Sequence, residues 1–139
     1  MPGLMFPPRD RFWWTLYVIG AITIASGVLQ CVFPALLLRV LSPDVTAASE
    51  HFLIITGVLT ASFGALLMHA LITAEPQHVA VLWTGIQKVL TAAAVGLAIQ
   101  DMIFSSLALF AAAFDLVSGV MIIAFWFWIK QQSNEMQIP

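Results

Sequence analysis

Four long apolar stretches separated by short polar breaks dominate the hydrophobic pattern of this 139-residue chain. They cover about residues 12–33, 49–71, 78–99 and 103–129. Each is long enough to cross a bilayer, which takes roughly 20 apolar residues in an α-helix. Short connections favour antiparallel neighbours. The pattern therefore predicts an all-α membrane protein, a single transmembrane domain built as an antiparallel bundle of four transmembrane helices.

Proline and turn residues separate the apolar stretches. Pro34 opens a short segment of about residues 34–41, and proline suits the first position of a helix. This segment is predicted to be a short helix at the membrane interface, from which Arg39 extends to water. Ser42-Pro43-Asp44 is a turn signal, and Glu75-Pro76-Gln77 marks the next break.

The composition supports a membrane protein rather than a soluble domain. Apolar residues make up 61% of the chain and charged residues 9%, and the mean hydropathy is +0.99. Soluble domains carry about 25% charged residues. The net charge of −2 provides no basic patch for phosphates, so no nucleic-acid partner is expected. The expected partners are the lipid bilayer and either other membrane subunits or further copies of the chain.

Basic and aromatic residues predict the orientation of the bundle. With the N-terminus in the cytoplasm, the cytoplasmic segments hold Arg9, Arg11 and Lys130, and the far side holds only Arg39. Lys and Arg favour the cytoplasmic side, and tryptophan favours membrane interfaces. All five tryptophans then fall toward the cytoplasmic face: Trp13, Trp14, Trp83, Trp126 and Trp128. Both termini are therefore predicted to be cytoplasmic.

Lys88 and Asp115 are isolated charges inside the third and fourth apolar stretches. They lie at similar distances on either side of the turn at Gln100-Asp101. Two helices that rise about 1.5 Å per residue would therefore bring both charges to one depth. A lone charge in hydrocarbon is costly, whereas a pair on facing helices is tolerated. Three further polar side chains complete the predicted intramembrane polar site: Gln30, Thr60 and Gln87.

The Lys88–Asp115 pair has two interpretations, and the sequence leaves both open. In the structural interpretation the pair fixes the register of two helices, and nearby hydroxyl and amide groups satisfy it. In the functional interpretation it binds a polar headgroup, relays protons or senses a ligand, because intramembrane charges are expensive and often functional.

Histidines offer a weaker cofactor hypothesis. His69 and His78 flank the break between the second and third stretches and could approach each other at the cytoplasmic interface. Imidazole there would suit a haem, a pigment or copper, although plain interfacial histidines are the simpler interpretation. No metal site is predicted. The sequence contains no G-x-S-x-G, H-E-x-x-H, phosphate-loop or dinucleotide-binding motif, so the chain is not expected to be an enzyme.

Several segments resemble the small four-span bacterial membrane proteins that are grouped as DoxX-like. They are Gly27-Val28-Leu29 leading to Phe33-Pro34-Ala35-Leu36-Leu37-Leu38-Arg39-Val40-Leu41, the glycines Gly57 and Gly64, and the acidic Asp115. The resemblance implies a four-span architecture. Some members of the group are associated with membrane redox complexes, which implies an accessory subunit near quinone chemistry.

Two functional hypotheses follow. The first is a non-catalytic accessory or scaffold subunit of a larger complex, of a redox or energy-converting kind, in a bacterial cytoplasmic (inner) membrane. Its basis is the minimal loops, the absence of catalytic motifs, and small-residue helix faces beside bulky outer ones. The alternative is a small carrier, proton relay or lipophilic-ligand binder that uses Lys88 and Asp115. A haem, pigment or quinone contact is the cofactor hypothesis attached to these interpretations.

Overall fold

The chain is all-helical over the residues that the computed structural model describes, which are 9–73 and 77–135, with the backbone alone for Glu135. No strand occurs in these two ranges. The helices are α1 Arg11–Val32, α2 Pro34–Leu41, α3 Ala47–Ile72, α4 His78–Gln100 and α5 Ala108–Glu135. Four of them, α1, α3, α4 and α5, are long and apolar enough to cross a membrane. The prediction of an all-helical chain with four long apolar helices is therefore confirmed.

Capping residues explain where three of these helices begin. The Asp10 side chain accepts a hydrogen bond of 2.8 Å from the backbone N–H of Trp13 and so caps α1. Pro34 occupies the first turn of α2, where its missing N–H costs nothing. Thr46 and Ser49 exchange side-chain and backbone hydrogen bonds in a capping box that starts α3. Of the break predicted at Glu75-Pro76-Gln77, Glu75 and Pro76 lie outside the described residues.

The fourth apolar stretch differs from its hydropathy pattern at both ends. α5 begins at Ala108 rather than near residue 103, because residues 101–107 form a turn in which Met102 adopts a positive φ of 60°. At its other end α5 continues through Lys130 to Glu135. Hydropathy marks how long a segment is apolar, and it does not separate an apolar turn from a helix.

Glycines allow α1 and α3 to touch backbone to backbone. A Cβ placed on Gly27 would lie 2.5 Å from the carbonyl oxygen of Gly57 and 2.5 Å from the amide nitrogen of Ala61. One placed on Gly64 would lie 2.9 Å from the carbonyl oxygen of Gly20. Small residues at helix contacts permit this close approach. The α1–α3 contact is one of the two most extensive in the molecule.

A second close contact joins α4 and α5. A Cβ on Gly119 would lie 3.0 Å from the carbonyl oxygen of Gly85 and 3.1 Å from the Cβ of Lys88. The described chain therefore consists of two tightly packed helix pairs, α1–α3 and α4–α5. Contacts between α3 and α4, and between α1 and α5, join the pairs less extensively.

The main hydrophobic core lies where the start of α1, the end of α3, the start of α4 and the end of α5 meet. It consists of Trp13, Leu16, Ile19, Leu67, Ala70, Leu71, Val81, Ile122, Phe125 and Ile129. Trp13 is only 3% exposed, and its indole N–H donates a 3.1 Å hydrogen bond to the carbonyl of Leu71. Trp13, one of the tryptophans predicted for the membrane interface, is therefore part of the core and hydrogen-bonds to the last turn of α3.

Hydrogen bonds connect the two helix pairs at the opposite end of the molecule. The backbone N–H of Ser105 donates to the carbonyl of Leu41 at 2.7 Å, and its hydroxyl donates to that of Val40 at 3.1 Å. The Ser42 hydroxyl donates to the carbonyl of Ile103 at 3.1 Å. The C-terminal end of α2 is therefore fastened to the turn before α5, and the middle of α4 and α5 lies between two joined ends.

Candidate intramembrane polar site

The side chains of Lys88 and Asp115 meet between α4 and α5. The Nζ atom of Lys88 lies 2.6 Å from the Oδ1 atom of Asp115 and donates a hydrogen bond to it. Lys88 occupies the middle of α4, and Asp115 lies in the first turns of α5. Gly119, one turn beyond Asp115, leaves room for the Lys88 stem against the α5 backbone. The close α4–α5 packing therefore sets the position of both charges.

The two charged groups differ in exposure. Lys88 is 1% exposed, whereas the Asp115 side chain keeps 24% of its surface accessible. The ammonium group also lies 4.9 Å from the centre of the Phe114 ring, a distance at which a cation is attracted to the ring face. Among the described residues the Oδ2 atom of Asp115 has no hydrogen-bond partner. The site therefore encloses the cation and leaves one carboxylate oxygen free to accept a further hydrogen bond.

Phe114 and Ser118 lie next to the pair, and Phe114 was not identified from the sequence. The Ser118 hydroxyl donates to the carbonyl of Phe114 at 2.6 Å and approaches that of Asp115 at 3.3 Å. The Ser118 hydroxyl therefore has its hydrogen-bond acceptors within α5. Phe114 precedes the acidic residue directly, so a search for aromatic neighbours of an isolated charge in an apolar stretch would have found it. Ser118 follows Asp115 by three residues, so helical spacing places it on the same face of α5.

Gln87, predicted as part of the same polar site, lies on another face of α4. Its Nε2 atom donates a 3.0 Å hydrogen bond to the Thr91 hydroxyl. Both side chains line an outer groove of about 360 Å³ together with Phe63 of α3. Consecutive helical residues are rotated by about 100°, so adjacency to Lys88 in sequence does not bring Gln87 to the same face.

Gln30 belongs to the α1–α3 contact rather than to the charged pair. Its Nε2 atom donates to the Ser26 hydroxyl at 3.4 Å, and its Cβ lies beside Gly57. The Oε1 atom is buried and has no hydrogen-bond partner within ranges 9–73 and 77–135. Thr60 is half-buried on α3, and no hydrogen bond between the described residues links it to Lys88 or Asp115.

The five polar residues therefore separate into several locations. Lys88 and Asp115 form one contact between α4 and α5, and Gln87 pairs with Thr91 on the outside of α4. Gln30 lies against α3. Position along the chain predicts depth in a membrane, and depth alone does not determine which side chains face each other.

The two histidines of the cofactor hypothesis lie in different surroundings. The His78 Nε2 atom is 3.4 Å from the Ser133 hydroxyl on α5, and its Nδ1 atom is buried without a described partner. His69 is exposed in the last turn of α3. Within the described part of the chain no hydrogen bond joins the two rings, and no three His, Cys, Asp or Glu residues are placed to hold a metal ion. A haem, pigment or quinone contact stays a prediction.

No protein-family model, curated protein or solved structure matches the chain. The site itself consists of an enclosed ammonium group, a carboxylate with one oxygen free to accept a further hydrogen bond, and a surrounding surface of apolar side chains.

Proposed function

We propose that this chain is a non-catalytic accessory or scaffold subunit of a larger membrane protein complex. In this proposal α1, α3, α4 and α5 cross the bilayer as an antiparallel bundle, and α2 lies at the interface. The glycine contacts support antiparallel pairs, since Gly20 lies beside Gly64 while Gly27 lies beside Gly57. Residue numbers thus rise along α1 as they fall along α3.

The proposed location is a bacterial cytoplasmic (inner) membrane, with both termini in the cytoplasm. Two cation–aromatic contacts support an interface at the end of the bundle that carries the termini. The Arg9 guanidinium lies 5.3 Å from the Trp13 ring, and the Lys130 ammonium lies 4.9 Å from the Trp126 ring. Basic and aromatic side chains at one end are typical of a cytoplasmic membrane boundary.

The observation that carries the scaffold proposal is the contrast between the inside and the outside of the bundle. The buried charge is neutralised within the α4–α5 pair, whereas bulky apolar side chains cover the outside of all four long helices. Phe52 is 69% exposed and Phe110 is 77% exposed. Surfaces of this kind suit contact with lipid or with another membrane subunit. The resemblance to DoxX-like proteins directs the proposal toward a redox or energy-converting complex.

Affinity purification from native membranes tests this proposal. The tagged chain is expressed at its native level, extracted in mild detergent and analysed by mass spectrometry for proteins at stoichiometric yield. A tagged four-span protein of similar size serves as the background control. We expect one larger membrane protein to be recovered reproducibly with this chain and not with the control. Recovery of the chain alone, or only with copies of itself, would contradict a subunit role.

A second candidate function rests on the half-open carboxylate. Because Asp115 keeps one oxygen without a described partner and 24% of its side chain exposed, it offers a point for proton exchange or for a polar group of a lipophilic ligand. Proton flux into liposomes that contain the purified chain tests this function. Flux that Asp115→Asn abolishes would support a relay, and wild-type liposomes that conduct no more than empty ones would count against it.

A further inference from the structure

We propose that the outer groove of α4 is the docking face for a second copy of this chain. The two copies would be related by a two-fold axis along the membrane normal. Gln87 and Thr91 would hydrogen-bond across that axis. This inference rests on the proposed position of α4 across the bilayer, but it does not depend on the larger complex, because a dimer can exist with or without a further partner.

Gln87 and Thr91 each keep a polar group that is available for a further hydrogen bond. Once the Gln87 amide donates to the Thr91 hydroxyl oxygen, the Gln87 Oε1 atom and the Thr91 O–H have no partner among the described residues. Five of the seven other threonines in the described residues donate to the carbonyl four residues earlier, as Thr84 does to Ala80 at 2.8 Å, whereas Thr46 and Thr60 do not. Thr91 does not. The groove therefore presents one free acceptor and one free donor side by side.

Gln87 and Thr91 lie near the middle of α4. Gln87 lies nine residues from the first residue of α4, and Thr91 lies nine residues from the last. At about 1.5 Å per residue both are roughly 13 Å from an end of the helix. The ester and headgroup atoms of lipids lie outside a hydrocarbon core about 30 Å thick, so they do not reach this pair. Acyl chains offer no hydrogen bonds, and unpaired polar groups in hydrocarbon are costly.

The polar groups of this face complement those of an identical face. The Gln87 Nε2 atom lies 3.0 Å from the Thr91 hydroxyl oxygen, and Oε1 belongs to the same amide group, so the two polar groups lie within about one helical turn of each other along α4. A two-fold axis along the membrane normal preserves depth, so the Thr91 hydroxyl of each copy faces the Gln87 oxygen of the other. Two equivalent hydrogen bonds result, as a contact between identical faces requires. Hydroxyl and amide groups are known to bond across transmembrane helices in this way.

The shape of the groove fits the same partner. Leu90 and Trp83 project from this face of α4 and are 63% and 57% exposed, while Ala94 beside them is small. Phe63 of α3 forms the far wall. A protruding Leu90 can enter the groove of about 360 Å³ on the other copy, and the small Ala94 allows the backbones to approach.

Cysteine cross-linking in native membranes tests the interface. The background is Cys31→Ser, which removes the single native cysteine and keeps a hydrogen-bond donor near the carbonyl of Ile54. Ala94→Cys places a thiol on the proposed face. Phe110→Cys is the control. Lys88 contacts Asp115 between the antiparallel helices α4 and α5, so Phe110 lies at about the same depth as Ala94. Phe110 is on an exposed face of α5.

We expect an Ala94→Cys disulfide dimer and no dimer with Phe110→Cys. Fluorescence energy transfer between donor- and acceptor-labelled chains in liposomes measures association. Thr91→Val should weaken association about tenfold, as the loss of two interhelical hydrogen bonds implies. Thr91→Ser should retain it, because it keeps the hydroxyl. Thr91 lies on the outside of the bundle, so neither change should alter the helical content measured by circular dichroism.

Four results would overturn the inference. One is absence of the Ala94→Cys dimer together with monomeric chains in liposomes. Another is equal cross-linking at both positions, which indicates random collision. A third is cross-linking of Ala94→Cys to a different protein, which would assign the face to that protein. The last is a lipophilic small molecule bound to monomers and lost in Thr91→Val, which would make the groove a ligand site.

Discussion

At the scale of single residues, the same residue type has opposite roles at two positions of this chain. Gly27 lies where a methyl group would touch backbone atoms of α3 at 2.5 Å, and backbone atoms cannot move aside as a flexible side chain can. Gly96, in α4, has nothing within 4 Å of its hypothetical Cβ. The first glycine is required for packing, whereas the second only weakens its helix.

Alanine substitutions at these two glycines should therefore have effects of opposite sign. Gly27→Ala is expected to lower the free energy of unfolding by about 1–3 kcal/mol, because it forces α1 away from α3. Gly96→Ala should raise it by up to about 1 kcal/mol, because alanine favours the helix. Reversible unfolding in mixed micelles measures both. A stabilising Gly27→Ala would show that the α1–α3 contact is looser than described.

The polar residues show what sequence can and cannot predict at this scale. The equal spacing of Lys88 and Asp115 from the intervening turn predicted a shared depth, and the two side chains lie 2.6 Å apart. The grouping of Gln30, Thr60 and Gln87 with them does not agree with their hydrogen bonds. Which helix packs against which, and at what rotation, follows from the glycine contacts, and these depend on the complete three-dimensional packing.

At the scale of elements, α2 owes its position to the turn before α5. Ser105 donates two hydrogen bonds to carbonyls at the end of α2, one from its backbone and one from its hydroxyl. Leu38, which is 4% exposed, is the buried side chain of α2. A helix of eight residues is too short to be stable by itself, so its neighbours must hold it.

Removal of the Ser105 hydroxyl should therefore loosen α2 locally. We expect Ser105→Ala to speed hydrogen exchange of the α2 amides roughly fivefold, as the loss of about 1 kcal/mol from one hydrogen bond implies. The matched control is Ser106→Ala, next to it in the same turn, whose side chain makes no hydrogen bond among the described residues. Equal exchange in both variants would show that the backbone bond alone fixes α2.

Element boundaries were predictable where a cap or a proline marks them. Pro34 marked the start of α2 correctly. The start of α5 was not predictable, because Ile103 and Phe104 are as apolar as the helix that follows. Their turn conformation depends on the contact of Ser105 with α2, which is distant in sequence. Local hydropathy contains no information about that contact.

At the scale of the whole molecule, two helix pairs are joined at their ends. The main hydrophobic core joins the two helix pairs at the end near Trp13, and the hydrogen bonds of α2 join them at the other end. Basic and aromatic side chains gather at the first end. The proposed cytoplasmic position of the termini explains why these side chains gather at one end of the molecule.

Thiol labelling of intact cells tests this orientation. In the Cys31→Ser background, cysteines at Asp44 and Met102 should react with a membrane-impermeant maleimide, since both residues are exposed at the far end. A cysteine at Asn134 should react only after permeabilisation, because Lys130 and the end of α5 face the cytoplasm in this proposal. The reverse pattern would place the termini outside.

In the proposed function the chain is a membrane subunit, and the Lys88–Asp115 pair has a structural role. Removing one charge leaves the other without its ionic partner between α4 and α5. Lys88→Met alone, or Asp115→Leu alone, is therefore expected to destabilise the fold by about 3–5 kcal/mol. Removing both charges replaces the pair by apolar packing, and this change often leaves the free energy of unfolding nearly unaltered.

The most direct test is the amount of partner protein that co-purifies with the Lys88→Met/Asp115→Leu chain from native membranes, relative to the wild type. We predict that the double variant recovers the same larger protein at wild-type stoichiometry, while the single variants recover less because less chain is folded. A double variant that folds normally but loses its partner would contradict the structural role of the pair. A wild type that recovers no partner would contradict the subunit role.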